Sequence, residues 1–170
     1  DNYTNLPSGA PSSSLVTTHI TSTNFYTSYN TSPAFAQEIV QTSQLKGLVT
    51  WTKIKILQTS STFLYSTSIY DEKARMVQVK STNISGGTDV ATSQYDFSGK
   101  LLRNHITHQK SSTTWRVLTK NTFDAAGRVL TVSKVANYNS TSNTTDKVIA
   151  SHTYNELGQL VEKNLGGLET

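Results

Sequence analysis

The stretch that decides the fold is Tyr95-Asp96-Phe97-Ser98-Gly99-Lys100-Leu101-Leu102. It holds an aromatic, an Asp, two free positions, a small residue, a long polar residue and two apolar ones. Three other stretches repeat it. They are Tyr70-Asp71-Glu72-Lys73-Ala74-Arg75-Met76-Val77, Phe123-Asp124-Ala125-Ala126-Gly127-Arg128-Val129-Leu130 and Tyr154-Asn155-Glu156-Leu157-Gly158-Gln159-Leu160-Val161. The aromatics stand 25, 28 and 31 residues apart. A period in this range is the mark of a repeat architecture.

Each copy predicts a β-hairpin turn. An Asp or Asn leaving a strand bonds its own backbone two residues on. A Gly three residues later supplies a positive φ, which fits a type I turn followed by a left-handed residue and a bulge. The aromatic ends the incoming strand and the apolar pair opens the outgoing one. Packing of the ring over that pair is expected to fix the register. Ala74 departs from the pattern, because a left-handed Ala costs roughly 1 kcal/mol.

Between the turns the sequence reads as strand. Leu48–Leu57 places Thr50, Thr52, Ile54 and Ile56 on one face and Val49, Trp51, Lys53 and Lys55 on the other. Residues 58–62 read as a turn and Leu64–Tyr70 as the next strand. Length varies mostly in the connections opposite the motif turns and in the strand ends, where insertions are tolerated. The predicted architecture is all-β: stacked antiparallel hairpins in residues 46–170. Residues 1–45 hold all three prolines and the run Ser12-Ser13-Ser14. They read as an irregular Ser/Thr/Pro-rich segment with short strands and a weak helical option at 34–44.

Composition sets the character of the faces. Ser and Thr make up 49 of 170 residues, while 35% are hydrophobic and 15% charged. Ser66, Ser68, Thr92, Ser93, Thr119 and Thr153 fall inside strands. A sandwich core demands a cleaner apolar face, so a thin sheet with two partly wet faces is expected, with edges open to self-association. The net charge is +4, but the basic residues are scattered, against the clustered patch that nucleic acid requires. There is no Cys, which excludes disulfides, thiol catalysis and Cys-ligated zinc. No apolar run approaches the about 20 residues of a membrane helix, and no signal peptide is visible. The start at Asp1 and the stop just after Gly166-Gly167 read as a fragment or processed product.

The repeated Tyr-Asp-x-x-Gly-Arg-Leu pattern resembles the YD repeat of the RHS (rearrangement hot spot) family of large bacterial surface or secreted proteins. The resemblance covers about residues 46–170. It implies hairpins of one long, spirally wound antiparallel sheet, forming an open β-shell segment. In the family such a sheet can close into a hollow shell around a C-terminal toxic domain, and related repeats occur in teneurin adhesion proteins. The implied partners are the rest of a parent chain and an encapsulated domain. The family's shell-closing core carries a self-cleavage site. Its Asp-Pro-x-Gly signature is not found here, so neither protease nor payload is assigned. Ala74, Phe123, Asn155 and Gln159 depart from the family pattern.

Catalytic and metal chemistry is weakly represented. Asp71, Asp96 and Asp124 recur once per repeat and have turn roles, whereas a glycosidase needs two carboxylates facing one cleft. His105 and His108 lie three apart on a strand and point to opposite faces. There is no Gly-x-Ser-x-Gly elbow and no phosphate-binding Gly loop. Five Asn-x-Ser/Thr sequons start at Asn2, Asn30, Asn83, Asn139 and Asn143; they carry sugar only in a source that glycosylates Asn. No cofactor is implied. The strongest binding feature is a set of aromatics outside the motif: Tyr3, Phe25, Tyr26, Tyr29, Trp51, Trp115 and Tyr138. Of these, Trp51, Trp115 and Tyr138 are the candidates for stacking on cell-surface sugar. The leading expectation is a non-enzymatic shell segment, extracellular or at the cell surface, with a carbohydrate-binding or adhesion module as the alternative. An enzyme of unknown type is a further alternative, and it would need a carboxylate pair in one cleft.

Overall fold

The computed structural model describes residues 3–57, 62–138 and 146–166. Among the described residues nine strands run in chain order: β1 (Trp51–Lys55), β2 (Phe63–Tyr70), β3 (Met76–Thr82), β4 (Thr88–Tyr95), β5 (Leu101–Lys110), β6 (Thr113–Phe123), β7 (Val129–Tyr138), β8 (Lys147–Tyr154) and β9 (Leu160–Leu165). They form one open antiparallel sheet with each strand beside its sequence neighbour. There is no helix in the described residues, and so none long and apolar enough to cross a membrane. Of the turn read at residues 58–62, residues 58–61 lie outside the described residues.

The four motif turns join β2 to β3, β4 to β5, β6 to β7 and β8 to β9. In each, a left-handed residue sits at the small position: Ala74 (φ 58°), Gly99 (92°), Gly127 (81°) and Gly158 (81°). The register of each pair shifts at the aromatic. The extra residue on the outgoing strand is the bulge, and two of these, Val77 and Leu102, are buried.

One expectation about the faces is corrected. Over β2 to β5 one face is not wet, because residues 3–45 lie across it as a strap. Outbound, Pro11 O accepts from Thr67 on β2, Ser14 O from Lys80 on β3, and Asn24 O from Arg103 on β5. Inbound, Gln37 N–H donates to Tyr95 O and Thr42 N–H to Tyr70 O. The short strands and the helix at 34–44 do not form. Among the described residues of this segment only Ala36, bridged to Asp96, is β-like, and Phe35 has φ 46°. The apolar core is correspondingly small: Phe25, Ile39, Ile69 and Val77, with Leu15, Ile20 and Tyr95 against them.

The rest of the covered face is polar yet buried: Thr67, Gln78, Lys80, Thr92, Gln94 and His105. Buried polar groups persist when they are bonded, and irregular chain needs partners for its own amides. Each supplies the other. Gln78 accepts from Val16 N–H (2.9 Å) and donates to Val16 O (3.0 Å). Gln94 does the same with Tyr26, at 2.9 and 2.8 Å. These side-chain amides take the place of a neighbouring strand.

Candidate functional site: the ladder of motif turns

Within each turn the acidic residue caps the loop. Asp71 Oδ1 accepts from the amides of Lys73 and Arg75, both at 2.9 Å. Asp96 Oδ1 accepts from Lys100 N–H and Asp124 Oδ1 from Arg128 N–H, both at 2.8 Å. The second carboxylate oxygen pairs with the long cation four residues on: Arg75 at 2.7 Å, Lys100 at 3.3 Å and Arg128 at 2.6 Å. In the fourth copy, Asn155 and Gln159 replace the ion pair with an amide–amide bond of 2.9 Å.

These bonds tune the carboxylates. Burial alone would raise Asp96, but the Lys100 amide, the Ser98 hydroxyl and the Lys100 ammonium outweigh it and hold Asp96 below its ordinary value. The backbone bond from Arg128, followed by its side-chain bond and charge, lowers Asp124 despite some desolvation.

The same cations reach forward to the next repeat. The Arg75 guanidinium lies 5.1 Å from the Tyr95 ring centroid, Lys100 Nζ 6.0 Å from that of Phe123, and the Arg128 guanidinium 4.4 Å from that of Tyr154. Arg75 also donates to Asp96 O at 2.7 Å, and Lys73 to Phe97 O at 3.2 Å. The aromatics reach backward. Tyr70 OH donates to Val49 O, Tyr95 OH to Met76 O and Tyr154 OH to Val129 O. The hydroxyls of Tyr95 and Tyr154 therefore bond the strand before their own hairpin, and that of Tyr70 bonds the residues leading into β1, partners that the pattern within one copy did not indicate. Phe123 has no hydroxyl. The equivalent carbonyl, Leu101 O, instead accepts from Asn121 Nδ2 at 2.9 Å.

The glycines belong to the same joint. A Cβ on Gly127 would lie 2.5 Å from Lys100 Cε, and one on Gly158 2.9 Å from Arg128 Nη1. A Cβ on Gly99 would meet nothing within 4 Å. So Gly127 and Gly158 seat the preceding repeat's cation as well as turning the chain.

Between the second and third turns the strap leaves a cleft of about 330 Å³, bordered by Tyr26, Phe35, Phe97, Leu102 and Phe123. Phe35 and Phe97 meet edge to face at 6.0 Å. The carboxylates at its rim, Asp96 and Asp124, are already bonded within their own turns.

The three candidate sugar-stacking residues do not converge. Following the register across the sheet, Trp51 shares the face of Thr67 and Arg116, whereas Trp115 is on the opposite face. Both are half-buried. Trp115 is tilted against His108 at 5.6 Å, and His108 Nδ1 is 2.8 Å from Asp89 Oδ1. Tyr138 stands at the register position beside Trp115 on β7. Phe25, expected among the exposed aromatics, is 1% exposed and part of the core. Sequence reading missed the glutamines Gln78 and Gln94. Their only signal was a long amide placed mid-strand.

Compared with family models, curated proteins and solved structures, the chain matches none.

Proposed function

We propose that this chain is a structural wall segment of a larger RHS-type secreted or cell-surface protein of bacteria. Its role is mechanical and non-enzymatic: it encloses or displays another part of the parent chain. One observation carries the reading. The motif carboxylates Asp71, Asp96 and Asp124 are bonded within their own turns, and the cations paired with them reach the aromatic of the next repeat, so the repeated polar side chains join one hairpin to the next. Among the described residues β1 and β9 are the edge strands of the sheet, a placement consistent with continuation into further sheet or with self-association. The test is electron microscopy of the longer protein that carries this chain. A closed shell with internal density supports enclosure, and an open sheet moves the reading to display. A parent in which these repeats form no continuous sheet overturns it.

A second reading, a carbohydrate-binding module, rests on Trp115 beside the Asp89–His108 pair on the face opposite the strap. A ring face next to hydrogen-bonding groups suits a sugar. Titration with neutral and acidic monosaccharides at millimolar concentration tests it. Absence of any shift in the Trp115 resonances removes it.

A further inference from the structure

Beneath the strap two histidines stack. The His19 ring from the strap and the His105 ring from β5 are 4.9 Å apart, with 22° between their planes. His105 is 2% exposed and its Nδ1 is buried without a hydrogen-bond partner among the described residues. Phe25 closes the pocket edge-on at 6.3 Å. His19 Nε2 lies 2.6 Å from Thr92 Oγ1, which accepts from the Gln78 amide. The Thr92 hydroxyl hydrogen can therefore donate to His19 Nε2 when that nitrogen is bare.

The charged groups facing this stack are all cationic. Arg116 on β6 acts on both rings, and its Nη1 is itself buried without a partner among the described residues. Along β5 the neighbouring Arg103 is committed to Asn24 O and the Tyr26 ring. From β3, Lys80 is committed to Ser12 and Ser14. β4 contributes Thr92, and the β6 residue opposite His105 is Leu118, so neither supplies a charge. His108 and Asp89 are paired on the other face of the sheet. No carboxylate acts on either ring.

We propose that the His19–His105 stack is an acid-sensitive latch: protonation of the pair releases the strap from the sheet and uncovers the polar face of β3 to β5. A proton on either ring would sit against a second imidazole and a guanidinium with no counter-charge, and separating strap from sheet restores water to both rings. Burial first, then His19 and Arg116, lowers His105 to about 4. Burial and Arg116 lower His19. The sign follows. A base whose folded value is depressed leaves the closed state with fewer protons than the open one, so closure is favoured above the ordinary His range and weakens as pH falls from about 6.5 toward 4. For His105 alone the open fraction rises roughly a hundredfold over that window.

The released face carries Gln78, Gln94, Lys80 and Thr67, whose strap partners are main-chain groups and a Ser hydroxyl, beside the apolar Ile69 and Val77 that Phe25 and Ile39 cover.

The test is amide hydrogen exchange of the intact chain from pH 7.5 to 4.5, corrected for the intrinsic rate. Val16 and Tyr26 amides, which donate to Gln78 and Gln94, report the strap. Val117 in β6 reports the sheet. Strap protection that falls steeply below pH 6 while Val117 holds is the expected result, and His105→Phe flattens it. Constant strap protection, or parallel loss at Val117, overturns the proposal. Should His105→Phe fail to fold, NMR titration of the wild-type His105 ring decides: titration near 6.5 refutes the latch, and titration near 4 sustains it.

Discussion

The Arg128 guanidinium carbon lies 4.4 Å from the centre of the Tyr154 ring, one repeat further along the chain, while its Nε and Nη2 hold Asp124 Oδ2. One side chain thus closes its own turn and braces the next. A cation over an aromatic face contributes about 0.5–1 kcal/mol where partly exposed. In a double-mutant cycle of Arg128→Ala and Tyr154→Leu, read by urea unfolding, we expect a coupling of about that size. Zero coupling would reduce the contact to coincidence.

Leu101 O depends on Asn121 because Phe123 brings no hydroxyl. Asn121→Ala should cost about 1–2 kcal/mol through a carbonyl left without its partner. Adding Phe123→Tyr should recover much of that loss, since Tyr95 and Tyr154 make the equivalent bond elsewhere. A thermal-melt comparison of the single and double variants checks it, and no recovery would mean the Phe123 ring is oriented differently.

Glycines at the same motif position should differ in their response. Gly99→Ala carries only left-handed strain, about 1 kcal/mol. Gly127→Ala also displaces Lys100 and should cost more, and Lys100→Ala should bring it down to the Gly99→Ala value. The reverse change, Ala74→Gly, exchanges strain for chain entropy and should stabilise by about a few tenths of a kcal/mol. Equal losses at Gly99 and Gly127 would argue against the Lys100 seat.

Gln94→Glu keeps the shape and the acceptor but removes the donor to Tyr26 O and Gln37 O. It also places a charge at a site 1% exposed. We expect a loss of about 2–4 kcal/mol at pH 7, with the damage concentrated in the strap. Exchange protection lost at Tyr26 but kept in β6 and β7 is the signature, and uniform loss would contradict it.

Asp96 gives an acid-side prediction. Its folded value is lowered, so it adds stability above the ordinary Asp range, and that contribution fades as pH drops through about 4 toward the lowered value. Asp96→Asn should cost about 1 kcal/mol at pH 7 and flatten the fall in stability below pH 4. An unchanged acid slope would assign the fall to other carboxylates.

The sequence by itself determined the motif turns and the hairpin strands that flank them, though not the irregular course of residues 3–45. A turn is a local object: Asp96, Gly99 and the bulge at Leu102 act within eight residues, so period and turn chemistry suffice to write an all-β chain of hairpins. Two things were decided only by the tertiary structure. The motif residues bond across repeats, Arg128 to Tyr154 and Tyr154 to Val129, because stacking sets the neighbouring turn within reach of a long side chain. And Thr92, one of the mid-strand polar residues that pointed to partly wet faces, is buried with Thr67, Gln78 and Gln94 beneath residues 3–45. Polar alternation in a strand records only that its side chains need hydrogen-bond partners. Whether water or an irregular strap supplies them depends on contacts up to 79 residues away in sequence, as between Arg103 and Asn24, and no local pattern encodes that choice.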